Sequence, residues 1–237
     1  MSSYVLVHGA WHGGWCWDKV VPLLEKKGHK VEAHDLPGHG KDRTPISEIS
    51  LQAYTDHICG ILDAQPEPVI LVGHSMGGAV IAQAGEYRPK KIKFLIYVTA
   101  YLLQNGESMM QVFMQDTESS LGSAIIMAEN QTYMTLRDDT VKEVFYGDCS
   151  DPDVARAKSL FVPQALAPFA TPVITTEENF GRLPRVYIEC LRDRVISPSV
   201  QKKMYTALPC KKAISMDTSH SPFFSAPEDL VTHLTSL

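Results

Sequence analysis

No apolar run in this chain approaches the ~20 residues that a membrane-spanning helix needs. The C-x-x-C pair is missing too, and with it any cysteine and histidine spacing of the zinc-binding kind. Its five cysteines, Cys16, Cys59, Cys149, Cys190 and Cys210, are odd in number and scattered. That excludes a disulfide framework and predicts reduced, mostly buried thiols. Positive charge is in deficit, and a net charge of -5 excludes the basic footprint of a nucleic-acid binder. Internal repeats, low-complexity tracts and flexible linkers are likewise missing. No basic leader precedes the first apolar run, Tyr4-Val5-Leu6-Val7, so a cytoplasmic location is expected. His34 and His39 lie close together, but no carboxylate cluster follows them. They read as a polar loop with a Pro37-Gly38 turn rather than as a metal site.

A chain of 237 residues suits one compact unit with a sizeable core. Short β-branched runs recur at Tyr4–Val7, Val31–His34, Val69–Val72, Phe94–Val98, Arg185–Cys190 and Ala213–Met216. Longer amphipathic stretches separate the first of them: Trp17–Lys27, Leu51–Ala64 and Gly78–Tyr87. Such alternation predicts a mainly parallel six-stranded sheet flanked by helices, an α/β fold. The pattern breaks after Val98, where residues 101–183 hold no convincing strand but many apolar side chains, among them Met109, Met110, Met114, Met127, Phe113, Phe161 and Phe169. A helical cap over 101–183, inserted into a core of 1–100 and 184–237, is the expectation. A Met-rich surface of this kind suits an irregular apolar ligand, although the core of a small subdomain accounts for each residue equally well.

Gly73-His74-Ser75-Met76-Gly77 carries the most chemistry. It follows the apolar run Val69-Ile70-Leu71-Val72 and precedes a helical one, the strand, sharp turn and helix context of a nucleophile elbow. A serine on so tight a turn needs small neighbours, and the turn lifts its hydroxyl where a base can reach it. The N–H of Met76 then lies at a helix N-terminus, where partial positive charge suits an oxyanion. Ser75 needs a base and an acid that holds the base in one tautomer. His220 is the candidate base, just past a late strand and before the last helix. Asp193 is the candidate acid, again just after a strand, with Asp217 as runner-up. A second oxyanion donor is expected after the first strand, in His8-Gly9-Ala10-Trp11-His12-Gly13-Gly14, at the Ala10 N–H. Gly9 allows close approach of a substrate, and His8 and His74 are expected to hydrogen-bond backbone beside the two donors. Trp15 and Trp17 are expected to pack beneath the loop, while Trp11, Tyr101, Phe113 and Phe161 are candidate pocket residues.

With these residues in place, the chain resembles the α/β-hydrolases, in which serine, acid and histidine follow in this chain order. Within them it is similar to the branch of small methyl esterases and hydroxynitrile lyases. The resemblance spans nearly the whole chain and is carried by Val5 to Trp17, Pro22-Leu23-Leu24, Gly28-His29-Lys30-Val31, Gly73 to Gly78 and the Asp193 and His220 segments. It implies the α/β-hydrolase fold, a helical cap over the site, no cofactor, and a small-molecule ester as substrate. In the lyases a threonine follows the histidine of the first loop and a lysine follows the catalytic histidine. Here those positions hold Gly9 and Ser221, which favours hydrolysis because no cation stands ready for a departing cyanide. Asp35-Leu36-Pro37-Gly38-His39-Gly40 looks like the general bacterial hydrolase loop rather than the plant one. A ligand-binding receptor on the same scaffold is the alternative from another class, and cyanohydrin cleavage is the third reading.

Overall fold

A computed structural model describes residues 1–236. Six strands form one sheet in the order β2-β1-β3-β4-β8-β9, with every neighbour parallel. They are β1 (Ser3–Val7), β2 (Lys30–Ala33), β3 (Val69–Ser75), β4 (Ile92–Ala100), β8 (Arg185–Cys190) and β9 (Lys212–Met216). The central strand β3 is buried along its whole length, as a strand covered on both faces must be. Register runs from Tyr4 opposite Ile70 to Val7 opposite Gly73, and a shift at His74/Ser75 bends β3 as it leaves β4.

The flanking helices are α1 (Val21–Lys26), α2 (Leu51–Ala64), α3 (Gly77–Tyr87), α9 (Pro198–Ala207), α10 (Pro222–Ser225) and α11 (Pro227–Thr235). Ser50 caps α2 by accepting from Ala53 N–H. α3 lies over β3 and β4 and packs on α2, while α1 packs on β2 and α11. The helix expected over Trp17–Lys27 is shorter than its apolar pattern. A 3₁₀ turn takes Gly14–Trp17, and α1 begins only where Pro22 fits its first turn without an N–H to satisfy.

Residues 101–183, between β4 and β8, correct the expectation of a purely helical segment. They carry short helices α4 (Met109–Gln115), α5 (Leu121–Ala124), α6 (Val141–Phe145), α7 (Asp151–Leu160) and α8 (Ala167–Ala170). They also carry an antiparallel sheet of β5 (Ile125–Met127), β6 (Tyr133–Leu136) and β7 (Gln164–Ala165). Strands this short show too little alternation to be told from a buried helical patch. Among the described residues, no helix is long and apolar enough to cross a membrane.

Two glycines let the β3–α3 turn close. A Cβ at Gly73 would stand 2.7 Å from the Gly77 carbonyl oxygen, and one at Gly77 would stand 2.8 Å from that of Val7. Both obstacles are backbone and cannot swing away. Gly77→Ala is therefore expected to lower the unfolding free energy by about 2 to 4 kcal/mol, measured by urea titration. An unchanged midpoint would show that β1 and α3 separate at no cost.

Candidate active site

Each candidate for the triad and for the first-loop donor sits at or just beyond the C-terminal end of a strand, where parallel α/β sheets assemble their sites. Ala10 follows β1, Ser75 ends β3, Asp193 follows β8 and His220 follows β9. Ser75 has φ +52, a left-handed backbone that a non-glycine residue adopts only under constraint. Trp11, beside Ala10, is held at φ +62. Among the described residues, neither the Ala10 nor the Met76 N–H has a backbone acceptor, so both are free to donate.

His220 Nδ1–H donates to Asp193 Oδ2 at 2.7 Å, which leaves the lone pair on Nε2. Both side chains are almost completely shielded from water, and Ser75 keeps only 7% of its surface. The buried carboxylate is surrounded by donors. Oδ1 accepts from Val195 N–H at 2.6 Å and Ile196 N–H at 3.1 Å, and Oδ2 also accepts from the Thr99 hydroxyl and Gln201 Nε2. Such saturation is what permits a charge to stay buried. Asp217, by contrast, is exposed and pairs with Arg192 at 2.9 Å. Ser75 Oγ and His220 form no hydrogen bond among the described residues, so the structure brings His220 closer to Asp193 than to Ser75.

His74 ties the turn to the histidine loop: its Nε2–H donates to the His220 carbonyl at 2.8 Å, with ring centroids 4.6 Å apart. His8 Nδ1 bonds the Gly9 carbonyl at 2.7 Å, and His12 Nδ1 bonds that of Ala10 at 2.7 Å. Burial pushes all three rings below the usual histidine range, His12 to about 3. His34 pairs with Glu32, and His39 bonds the Pro37 carbonyl and Gln164 Oε1. Among the described residues, no group of three or more metal-binding side chains comes together.

Gly9 faces the serine directly, since a Cβ there would stand 2.8 Å from Ser75 Cβ. Trp11 is buried, donates from Nε1 to the Met134 carbonyl at 3.0 Å, and meets Phe145 edge-on at 5.8 Å. Tyr101 is buried with its ring 6.5 Å from Phe169, and its N–H donates to the Ser75 carbonyl at 3.1 Å. Phe161 stands 5.3 Å from the His12 ring and 6.3 Å from Trp15. Phe113 is half-buried with its ring toward Gly122 of α5. Thr99, Gln201, Phe145 and Tyr146 were not legible as site residues. Only a threonine at the end of a strand gave any signal, since the others join the site through distant folding. Thr99 is held at φ +38 with its hydroxyl on Asp193, and Phe145 stands 5.7 Å from the His220 ring.

A strained serine between strand and helix, followed in order by a buried acid and its histidine, is the site plan of an α/β-hydrolase. The pattern of the Alpha/beta hydrolase family matches residues 4–233, and the chain belongs to that family. It is 35% identical to a pyrethroid hydrolase of Sphingobium wenxiniae over 97% of this chain and 85% of that protein. It is 34% identical to Methylesterase 2 of Arabidopsis thaliana over 100% of this chain and 95% of that one. Among solved structures, polyneuridine aldehyde esterase superposes with a TM-score of 0.89 at 27% identity, covering 99% of this chain and 98% of that one.

The buried neutral histidines make stability depend on pH. Their folded pKa values lie below the unfolded value of ~6.5, so the unfolded chain binds more protons at mildly acid pH. Their contribution is complete above pH ~6.5 and is lost as pH falls toward the folded values. His8, His12 and His74 are by themselves expected to give a slope approaching about 4 kcal/mol per pH unit between pH 6 and 5, ahead of carboxylate titration, and His39, lowered by burial as well, acts in the same sense. Urea unfolding at pH 7.5, 6 and 5 measures it, and a flat profile would mean that these rings are charged or solvated in the folded state.

Proposed function

We propose that this chain is a serine carboxylesterase acting on small to medium, apolar or aromatic esters through an acyl-enzyme. Ser75 Oγ attacks the carbonyl carbon while His220 Nε2 takes its proton, and Asp193 holds the imidazole in the required tautomer. The Ala10 and Met76 N–H groups receive the charge on the carbonyl oxygen. Collapse breaks the ester C–O bond, and His220 returns the proton to the departing alcohol. Water then attacks the acyl-Ser75 carbonyl, gives a proton to His220, and releases the acid with Ser75 restored.

The observation that carries the reading is the buried Asp193–His220 pair at 2.7 Å beside a serine held at φ +52. Two relatives whose names make them esterases support the ester bond as target. Trp11, Phe145, Phe169 and Tyr101 form one aromatic cluster that reaches the His220 ring through Phe145 at 5.7 Å, which favours an apolar acyl or alcohol group. Residues 101–183 serve as the cap of a core formed by 1–100 and 184–237. Their docking to the loop after β1, through Trp11 to Met134 and Val162 N–H to the Trp11 carbonyl at 3.2 Å, is the support for that division.

A rate panel tests the proposal with acetyl and butyryl nitrophenyl esters, aromatic methyl esters and mandelonitrile. Ser75→Ala is expected to lose about 10⁴-fold or more in kcat on every ester that the wild type turns over. Asp193→Asn is expected to lose roughly 10² to 10⁴-fold, because the imidazole then favours the wrong tautomer. Ester turnover that survives in Ser75→Ala overturns the mechanism. Cyanide release from mandelonitrile without ester turnover would make the protein a lyase, and binding without turnover a receptor.

A further inference from the structure

The two peptide groups aimed at the oxyanion are themselves held from behind. In a trans peptide the C=O and the following N–H point opposite ways across one rigid plane, so holding the carbonyl aims the donor. Met76 N–H shares its plane with the Ser75 carbonyl, which accepts from Tyr101 N–H at 3.1 Å, a backbone bond. Ala10 N–H shares its plane with the Gly9 carbonyl, and there the partner is a side chain: His8 Nδ1, at 2.7 Å.

The tautomer of His8 follows from its partners. Leu36 N–H points at Nε2 at 3.0 Å, and an amide nitrogen can only donate, so Nε2 carries a lone pair. The Gly9 carbonyl can only accept, so Nδ1 carries the proton. One neutral form satisfies both contacts, whereas an imidazolium would turn a second donor on Leu36. Burial, with the neighbouring His39 ring 5.0 Å away, opposes protonation in the same sense.

We propose that His8 is a positioning residue of the oxyanion hole: its Nδ1–H holds the Gly9 carbonyl and thereby aims and polarises the Ala10 N–H. The Leu36 amide, from the loop after β2, locks the ring in the tautomer that can do so. The inference rests on the serine-esterase reading and deepens it. His12 holds the next peptide in the same manner, with Nδ1 on the Ala10 carbonyl at 2.7 Å and the Tyr146 hydroxyl on Nε2, which ties the loop to residues 101–183. Charge gathers on the carbonyl oxygen chiefly in the transition state, so a misaimed Ala10 N–H lowers kcat and leaves KM nearly unchanged.

Asparagine places an amide N–H where Nδ1 stands, and glutamine places its amide near Nε2, so the two substitutions separate the two contacts. His8→Gln is expected to lower kcat on a nitrophenyl ester about 10- to 100-fold with KM within about 3-fold, and His8→Asn to stay within about 5-fold of wild type. Equal losses in the two variants, or losses confined to KM, overturn the proposal. Nitrogen-15 NMR of the wild type at pH 7 decides independently of whether either variant folds: an Nδ1–H tautomer at His8 is expected, and an Nε2–H form or an imidazolium overturns it. Ser75→Ala is assayed in parallel. Turnover surviving there sinks the esterase reading itself, whereas an inactive Ser75→Ala with the wrong His8 tautomer sinks only the positioning role.

Discussion

The close approach of the loop after β1 to the β3–α3 turn is the constraint on which the rest of the site depends. Side chains are excluded there on both sides, because a Cβ at Gly9 would strike Ser75 and one at Gly77 would strike the Val7 and His8 carbonyls. Only then can the Ala10 N–H stand near a hydroxyl on the neighbouring strand. The approach strains Ser75 and Trp11 into left-handed backbone, and parallel ladders from β1 to β3 and from β3 to β4 hold the strain in place. Under the proposed mechanism such rigidity would help, since donors that are already aimed need no reorganisation as charge develops.

Burial sets the second condition. Asp193 sits where an unpaired carboxylate would be prohibitively costly, and the donors around it offset that cost. His8, His12 and His74 meet the same condition by staying neutral, each spending its one N–H on a backbone carbonyl. The low dielectric that makes these groups vulnerable to acid also strengthens every hydrogen bond they make. The expected acid lability and the hydrogen-bonded arrangement of the loop after β1 thus have one physical origin.

Much of the fold was legible because parallel strands buried on both faces leave short apolar runs rich in β-branched residues, of which Val69–Val72 is a plain example. Other features were hidden for identifiable reasons. The apolar pattern from Trp17 onward ignores the constraint that Pro22 places on where α1 can start. β7 is two residues long and pairs with β6 from a distant part of the chain, so no local signal marks it. Thr99 and Gln201 meet Asp193 only because β4, β8 and α9 come together, and Tyr146 reaches His12 only because the segment after β4 folds back over the first loop.

The sequence by itself determined the order of the six main-sheet strands, the sharp turn at Ser75 and the candidates Asp193 and His220. Each of these is encoded locally, in an apolar run, a pair of glycines or a polar residue just past a strand. Tertiary structure alone decided which carboxylate meets the histidine. Asp217 lies nearer to His220 in the chain yet ends on the surface with Arg192, while Asp193 is carried inward by β8. It also decided the protonation of the buried rings, because a tautomer is set by the donors and acceptors that face it, and those arrive from remote segments such as Leu36 and Tyr146.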